Sequence, residues 1–374
     1  MTVLHIITGL DDGGAEAVLY RLCKFDEKNK HIVISLMNEG KYGPLLKEID
    51  VDVYSLEMAN GKIKLDSIIN LYKLIKKLKP DVVQTWMYHA DLIGGIVAKL
   101  AGIKNIVWGV HHTTLVKGES KRSTILIAKI NAFISKFIPK KIIYCAEKSR
   151  EVQESIGFIK KKGIVVCNGY NINDFKPNEE AGNNFRSEIN IDEKEFLIGH
   201  VGRYDPQKDH KNLIEGIALL DKQKISFKVV LVGSNLDNQN EILINIIREK
   251  GLENKILLLG KRNDIPNVMN GFDLFVLSSA FGEAFPNVLN EAMACGTPCI
   301  TTDVGDASII VGETGWVIPP KNPQALANAI SISAKEKYEN IKNWTNRKNS
   351  ARNRIVENFS IEKMAESYQK VWNS

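Results

Sequence analysis

Two glutamates, Glu283 and Glu291, have seven residues between them in the stretch SSAFGEAFPNVLNEAMACGTPCITT, which runs from Ser278 to Thr302. A strand-like run, DLFVLS, precedes the first glutamate, and a helix is predicted to begin at Pro286, because proline lacks the N–H that the first helical position leaves unpaired. The first glutamate therefore lies on a loop and the second about one turn into a helix. Carboxylates accept hydrogen bonds from hydroxyl groups, so this pair could hold a polyol such as a sugar.

The predicted helix also offers an anion site. Its first amides, near Asn287 and Val288, point out of the helix and favour a negatively charged group such as phosphate. The helix is predicted to stop at Gly296 and Pro298. A sugar site and an anion site are thus expected side by side.

Cations follow another apolar run, in the segment GHVGRYDPQKDHKNL. Arg203 comes directly after a strand-ending glycine, and Lys208 lies in the loop before a helix that Asp209 could cap. Preorganised cations of this kind stabilise a departing diphosphate. The alternative is a pair of solvated surface cations.

The first third of the chain carries glycines and aromatic residues at strand ends. Gly13 and Gly14, in TGLDDGGAEAVL, permit close backbone approach before a helix starting near Ala15. They do not form the G-x-G-x-x-G fingerprint, so no NAD site is predicted. An ordinary strand-to-helix turn would also use glycine here.

Two further strand ends are candidates for the acceptor side. The run QTWMYHADLIGG contains Trp86, Tyr88 and His89, side chains that could stack on a sugar ring and exchange hydrogen bonds. The alternative is a helix N-terminus with a partly buried tryptophan. The run WGVHHTT contributes His111 and His112 after the next strand.

The motif E-A-F-P-N-V-L-N-E-A-M-A-C-G-T-P resembles the E-x7-E signature of the retaining, nucleotide-sugar-dependent glycosyltransferases of family 4, which have the two-domain GT-B fold. The resemblance implies that Glu283 faces the donor hexose and Glu291 the nucleotide ribose. It implies a diphosphate contact for Arg203 and Lys208, which match the family's G-R-x-x-x-x-K pair.

The same resemblance implies the other site residues. Gly13 to Glu16 match a G-G-A-E pattern of the donor site, and His111, with His112 as the alternative, would contact the donor sugar near its anomeric carbon. Lys261 and Arg262 stand where the backbone of the family reads the nucleobase, and the alternative is that their side chains are simply solvated. The donor-binding set also includes Phe285, Asn287 and Val288, and the acceptor-binding set is Trp86, Tyr88, His89 and His112.

Short, near-continuously apolar runs alternate with helical patterns along the chain, which predicts parallel sheets covered by helices. The fold class is therefore α/β, with two doubly wound Rossmann-like domains that the GT-B resemblance places across a cleft. The predicted domains are residues 1–172 (acceptor) and 173–359 (donor), with a polar linker over 168–192. The resemblance implies that a C-terminal helix, 360–374, packs back on the first domain.

Length and composition limit the number of domains and the classes of ligand, but they do not determine the function. The 374 residues predict two or three domains, and the net charge of +6 suits anionic small molecules or an anionic membrane face. Five cysteines without a C-x-x-C pair predict a reducing cytoplasm, and no module for nucleic acid is found. The only D-x-D, Asp50 to Asp52, lies in a strand pattern, and no metal is expected. A basic helix over 119–138 either packs on the core or lies on an anionic membrane.

The sequence thus predicts a metal-independent, retaining hexosyltransferase without a cofactor. It would use an NDP-sugar, UDP-linked, and a glycan or polyprenyl-linked acceptor of surface polysaccharide synthesis, in the cytoplasm with peripheral contact to the inner membrane. The alternatives are a GT-B sugar-nucleotide 2-epimerase and a non-catalytic nucleotide-sugar-binding subunit.

Overall fold

The computed structural model describes residues 1–58, 65–111, 122–192, 194–222 and 225–374. The chain forms two compact units: Met1–Gly169 together with Ile361–Ser374, and Tyr170–Ser360. The boundaries predicted at 172 and 359 lie close to these positions.

Each apolar run that predicted a strand forms one. In the first unit the strands are β1 (Thr2–Ile7), β2 (Lys30–Ser35), β3 (Asp52–Ser55), β4 (Val82–Trp86), β5 (Ile106–Val110), β6 (Lys141–Tyr144) and β7 (Gly163–Val165). In the second they are β8 (Phe196–Val201), β9 (Phe227–Val232), β10 (Ile256–Leu258), β11 (Leu274–Leu277), β12 (Cys299–Thr302) and β13 (Trp316–Ile318).

Helices connect the strands. The first unit contains α1 (Gly14–Phe25), α2 (Tyr42–Lys47), α3 (Leu65–Leu78), α4 (Met87–Leu100), α5 (Arg122–Ile134) and α6 (Glu147–Ser155). The second contains α7 (Glu179–Glu188), α8 (His210–Asp221), α9 (Glu241–Glu249), α10 (Ile265–Gly271), α11 (Asn287–Ala294), α12 (Ala307–Val311), α13 (Pro323–Glu339) and α14 (Ile341–Asn358). The last helix, α15 (Ile361–Trp372), belongs to the first unit.

Both sheets are parallel and doubly wound, as predicted. The strand order is β3-β2-β1-β4-β5-β6-β7 in the first unit and β10-β9-β8-β11-β12-β13 in the second. In each sheet the winding direction reverses beside the first strand, between β1 and β4 and between β8 and β11. Ligands of open α/β sheets bind beyond the carboxyl ends of the strands at such a switch point.

The first sheet is covered on both faces. Apolar residues of α3, α4 and α5 pack on one face, and residues of α1 and α15 pack on the other. Met364, Tyr368 and Trp372 bring the C-terminal helix into this second core layer, where all three are buried. The packing of the chain's end on the first unit agrees with what the family resemblance implied.

The predicted linker over 168–192 is wrong in part, because it contains helix α7. Asn178 caps this helix by accepting a hydrogen bond from the Ala181 amide, and Phe185 and Arg186 are buried. The Arg186 guanidinium donates to the Gly271 carbonyl and pairs with Asp273 at 2.6 Å. Polar composition concealed a helix whose stability comes from these tertiary contacts.

The predicted helix over 119–138 is shorter in the structure, where α5 ends at Ile134 and residues 119–121 lie outside the described ranges. Across the described residues, every helix falls short of the length and apolar character that crossing a bilayer requires.

Candidate functional site

The switch point of the second sheet brings Lys208 and Glu283 into direct contact. Lys208 lies in a short 3-10 helix, Pro206–Lys208, after β8, and Glu283 lies on the loop after β11. The Lys208 Nζ is 2.6 Å from the Glu283 Oε1, and their side chains are only 12% and 8% exposed. An ion pair shielded from water is stronger than one on the surface. The prediction that these two residues share one site agrees with this geometry.

Ser279 is a polar partner that the sequence interpretation missed. Its hydroxyl donates to the same Glu283 Oε1 at 2.6 Å, so this oxygen accepts two hydrogen bonds. Ser279 is the second residue after β11, and the rule that singled out residues after strands could have found it. The carboxylate is held in one orientation by a cation and a hydroxyl.

Hydrogen bonds join the loops that carry the pair. The Ser278 hydroxyl donates to the Lys208 carbonyl at 2.8 Å, and the Ala280 amide donates to the Gln207 carbonyl at 2.8 Å. The turn over 303–306 closes the other side, where the Asp306 amide donates to the Ala284 carbonyl. A Cβ on Gly305, whose φ is +62°, would lie 2.2 Å from the Glu283 carbonyl oxygen, so this close approach requires glycine.

Arg203 lies on the same loop as Lys208 but points outward. Its side chain is 61% exposed, and its Nε is 3.1 Å from the Asp205 Oδ2. The loop passes close to the one after β9, where a Cβ on Gly233 would lie 1.7 Å from the Gly202 carbonyl oxygen. Because this ion pair is exposed, the guanidinium can exchange Asp205 for an anionic ligand at little cost.

The amino end of α11 lies beyond the same switch point. The helix begins at Asn287 with Pro286 as its N-cap, one residue later than predicted, and ends before Gly296, whose φ is +78°. The Asn287 side chain accepts a hydrogen bond from the Tyr170 hydroxyl, a partner that no sequence pattern indicated. The first amides of a helix have no intrahelical acceptor, so the amide of Val288 can donate to an anion. Glu291, half-buried, lies one turn further along.

Two residues assigned to the donor site have structural roles in the second unit. The Phe285 ring is 5% exposed and packs edge-on against Phe359, so its face is not open to a ligand. The Arg262 guanidinium bonds to both Asp264 and Glu188, and these carboxylates raise its pKa. Four of its N–H groups are already used. The Phe285 ring and the Arg262 guanidinium therefore tie the unit together and do not face a ligand. The backbone contact with the nucleobase that the resemblance implied at Arg262 stays a prediction.

A pair of buried histidines underlies the Lys208 loop, and the sequence interpretation missed both. The His200 Nδ1 donates to the Val276 carbonyl at 2.9 Å, and its ring meets His210 at a centroid distance of 4.9 Å. Burial is the main cause that lowers the pKa of His200, to about 4. The hydrogen bond to the Val276 carbonyl raises this pKa, and the charge of Lys208 lowers it further. The floor of this site is neutral at pH 7.

In the first unit, Gly13 and Gly14 stand at the start of α1 as predicted. Gly13 is the N-cap, and Gly14 is exposed. The neighbouring Asp11 and Asp12 are exposed, and Lys41 pairs with Asp12 at 2.8 Å. Burial raises the pKa of the Glu16 carboxyl in the first helical turn. Helix amides are available here, but their surroundings are more acidic than those of α11.

Trp86 is not an acceptor-facing residue. It is the last residue of β4 and is fully buried. Its indole N–H donates to the His5 Nδ1 at 3.1 Å, and its ring stacks on Tyr368 of α15 at 5.8 Å. A ring enclosed in this way offers no face to a sugar, so the predicted role is corrected.

The other members of that cluster differ in accessibility. Tyr88 is 5% exposed and lies in the core over α3 to α5, so its assignment to the acceptor is corrected as well. His89 is half-buried, and burial lowers its pKa. His89 is the residue of the cluster whose position still suits an acceptor contact.

His111 follows β5 and stacks on the Trp86 ring at a centroid distance of 5.1 Å. Burial lowers its pKa to about 4, so it is a neutral imidazole at pH 7. Its Nε2 has no hydrogen-bond partner among the described residues. This Nε2 is itself buried, so contact of the neutral ring with a sugar hydroxyl stays a prediction. The alternative, His112, lies outside the described residues.

Candidate metal ligands occur in the first unit, away from its switch point. Asp52 of the D-x-D pairs with Lys30 at 3.3 Å. Within the described ranges, His5, Cys23 and His31 place three possible ligand atoms within 4.8 Å of one another. The indole N–H of Trp86 can only donate, so the His5 Nδ1 accepts and the proton lies on the Nε2, which donates to the His31 Nδ1 at 2.9 Å. The hydrogen-bonded His5 therefore has no free lone pair for a metal.

A polar cavity of about 500 Å³ lies elsewhere in the second unit, at the starts of the strands. Arg186 and Asp273, which line it, are already paired with each other. It is therefore separate from the Lys208 and Glu283 site.

Comparisons with known proteins agree with the fold. Residues 12–174 match the model described as Glycosyltransferase Family 4, and residues 182–352 match the model described as Glycosyl transferases group 1. The chain is 27% identical over 311 residues to the UDP-Gal:alpha-D-GlcNAc-diphosphoundecaprenol alpha-1,3-galactosyltransferase of Escherichia coli, covering 82% of this chain and 79% of that protein. It is 26% identical over 322 residues to the capsular polysaccharide biosynthesis glycosyltransferase CapM of Staphylococcus aureus, covering 83% and 81%.

Solved structures share the fold. HepE of Anabaena in complex with UDP has a TM-score of 0.87 at 22% identity, with both chains covered over 100% of their length. The same protein in complex with UDP-glucose has a TM-score of 0.84 at 23% identity, covering 100% of this chain and 99% of that one. The two family models together cover most of the chain, and both units have the predicted parallel sheets. This chain therefore belongs to the family 4 glycosyltransferases.

Proposed function

We propose that this glycosyltransferase is a retaining, metal-independent hexosyltransferase that moves a hexose or N-acetylhexosamine from an NDP-sugar to a glycan or lipid-linked sugar in surface polysaccharide biosynthesis. The observation that carries the proposal is the shielded Lys208–Glu283 pair at the switch point of the second sheet. It joins a cation for a diphosphate to a carboxylate for a hexose at one ligand-binding edge.

A UDP-linked donor is the best supported. HepE has been solved with UDP and with UDP-glucose, and the Escherichia coli relative is named for a UDP-galactose donor. The amino end of α11 and the exposed Arg203 supply donors for a diphosphate in addition to Lys208.

The proposed acceptor is a polyprenyl-linked sugar. The Escherichia coli relative and the N-acetylgalactosaminyltransferase of Campylobacter jejuni, 26% identical over 316 residues, are both named for diphospho-undecaprenol substrates. Such acceptors lie at a membrane, so we infer a cytoplasmic protein that contacts the inner membrane peripherally. His111 is proposed to contact the donor sugar.

In the proposed reaction, the bond between the anomeric carbon and the phosphate oxygen breaks, and a bond to the acceptor hydroxyl oxygen forms on the same face. The departing phosphate oxygen takes the acceptor proton. Negative charge grows on the diphosphate as the bond breaks, and Lys208, Arg203 and the α11 amides stabilise it. These donors belong to the protein, so the negative charge on the diphosphate is stabilised without a metal ion. Glu283 orients the hexose by accepting hydrogen bonds from its hydroxyl groups.

The substitution Glu283→Gln tests the role of the carboxylate. It retains shape but removes the negative charge, so transfer should fall roughly a hundredfold while UDP still binds. Glu249→Gln, an exposed site on α9, is the matched control. Unchanged turnover in Glu283→Gln would remove Glu283 from the mechanism.

Four measurements separate the finer claims from their rivals. NMR of the product reports whether the anomeric configuration is retained, and activity in EDTA reports metal independence. A 2-epimerase would give product without an acceptor. A non-catalytic subunit would show a ligand-induced rise in melting temperature while no nucleotide was released.

A further inference from the structure

Helix α5 of the first unit presents its large apolar side chains to solvent. Leu126, Ile130, Phe133 and Phe137, here called the α5 stripe, are 60%, 40%, 67% and 64% exposed. Leu126, Ile130 and Phe133 follow one another in α5 at spacings of four and three residues, which puts them on one face of the helix, and Phe137 lies in the turn just after it. The rings of Phe133 and Phe137 meet at 6.1 Å.

The opposite side of the helix explains why the stripe is outside. Small or polar residues, Ala128, Asn131 and Ala132, are the buried ones. An amphipathic helix of a globular protein places its large apolar residues inward. Helix α5 packs on the core, as one of the two alternatives predicted, through these small or polar residues and the partly buried Ile127 and Ile134. The stripe of large apolar residues on its other side remains exposed.

Cations surround the stripe. From Arg122 to Ala146 the sequence contains five cationic residues and no Asp or Glu. Lys129 and Lys136 are exposed beside the stripe, and neither has a carboxylate within 4 Å among the described residues.

More lysines join this patch through the turn after α5. The Lys162 Nζ donates to the carbonyls of Ser135, Lys136 and Pro139, which brings the segment Lys160–Lys162 against the end of the stripe. Lys99 is close enough to Lys162 to help lower the pKa of that ammonium group, after burial. Beside Lys99, at the end of α4, Leu100 is 71% exposed.

We propose that the α5 stripe and its surrounding lysines dock on an anionic lipid bilayer, with the four apolar side chains in the headgroup and acyl boundary. An apolar stripe rimmed by cations is complementary to a surface that is anionic outside and apolar beneath. A second copy of the chain is a poorer occupant, because it would present the same positive rim. The inference names the partner and the residues of the peripheral contact proposed above.

The test is co-sedimentation of the full chain with vesicles. Phosphatidylglycerol mixed with phosphatidylethanolamine should retain the protein, pure phosphatidylcholine should retain it at least tenfold less, and added salt should weaken the binding. The double variant Phe133→Ser/Phe137→Ser, here called the stripe variant, should lower the partition coefficient of the protein between vesicles and water about tenfold. Lys129→Gln/Lys136→Gln should lower it for the anionic vesicles.

A matched control is available in the second unit. Ile332 and Tyr338 of α13 are 54% and 52% exposed, so Ile332→Ser/Tyr338→Ser removes similar apolar surface elsewhere and should bind like the parent. Equal binding by the stripe variant and the parent, or no binding to anionic vesicles, would overturn the proposal. So would concentration-dependent dimerisation that the stripe variant abolishes.

Failure of docking is distinguishable from failure of the transfer reaction. Vesicle binding requires neither donor nor acceptor. The stripe variant should transfer sugar to a water-soluble acceptor fragment at the parental rate, because its substitutions lie on the outer side of α5.

Discussion

The two units share one strand order at their switch points but differ in the chemistry placed there. Beside β8 and β11, the second unit has a shielded ion pair, an exposed arginine and a helix end. Beside β1 and β4, the first unit has exposed glycines and acidic residues, a buried tryptophan and, after β5, a neutral histidine. The fold determines where a ligand binds, and the side chains decide which ligand the edge accepts.

The comparison also explains which predicted residues were right. Lys208 and Glu283 lie in loops beyond their strands, where side chains can reach a ligand. Trp86 is the last residue of its strand, and helix α15, from the far end of the chain, covers its ring. The last residue of a strand therefore lies in the core here, whereas the ligand-facing residues lie several positions beyond their strands.

The largest effect is expected from Lys208→Met, which removes the cation of the second unit and keeps its bulk. The diphosphate loses a preorganised charge, so kcat/KM should fall roughly a hundredfold, or ~3 kcal/mol. Steady-state nucleotide release measures this. Lys211→Met, an exposed neighbour on α8, should behave like the parent. A fall in kcat/KM of less than threefold in Lys208→Met would mean that the cation that distinguishes the second unit from the first does not contribute to catalysis.

Acid should destabilise the second unit through His200. Its pKa of about 4 in the folded protein lies below the 6.5 of an unfolded chain, so the unfolded state binds the extra proton between these values. This stabilisation is complete above pH 6.5 and is lost as pH falls towards 4, by on the order of 3 kcal/mol.

The variant His200→Asn checks this origin. Asparagine can keep the hydrogen bond to the Val276 carbonyl but does not titrate, so its melting temperature should depend less on pH in this window. An unchanged pH dependence would assign the acid sensitivity to other groups. His111, with the same pKa in the first unit, gives the parallel experiment.

Trp86→Phe should affect stability and leave acceptor binding unchanged. The change leaves the His5 Nδ1 buried without its donor, which should cost ~1–3 kcal/mol of unfolding free energy. The KM for the acceptor should stay within about twofold. A tenfold rise in the acceptor KM with parental stability would restore Trp86 to the binding surface.

The smallest effects separate two arginines of the second unit. Arg203→Ala should weaken UDP binding about tenfold, or ~1.4 kcal/mol, without changing the melting temperature, because the side chain is exposed. Arg262→Ala should leave UDP binding unchanged and cost under ~1 kcal/mol of stability, because its bonds go to Glu188 and Asp264. Isothermal titration with UDP measures both. The opposite result would restore the assignment of Arg262 to the donor.

The sequence by itself determined the two parallel sheets, nearly all strand positions and the Lys208 and Glu283 site. Buried parallel strands read as continuous apolar runs, and their ligand-binding residues must follow them in the chain. Tertiary structure alone decided that helix α7 forms in a polar segment and that Trp86 and Phe285 are enclosed. It also decided that carboxylates hold the Arg262 side chain and that α5 leaves large apolar residues exposed. The physical reason is that burial and pairing depend on groups distant in sequence, such as Tyr368 for Trp86 and Glu188 for Arg262, which no local pattern records.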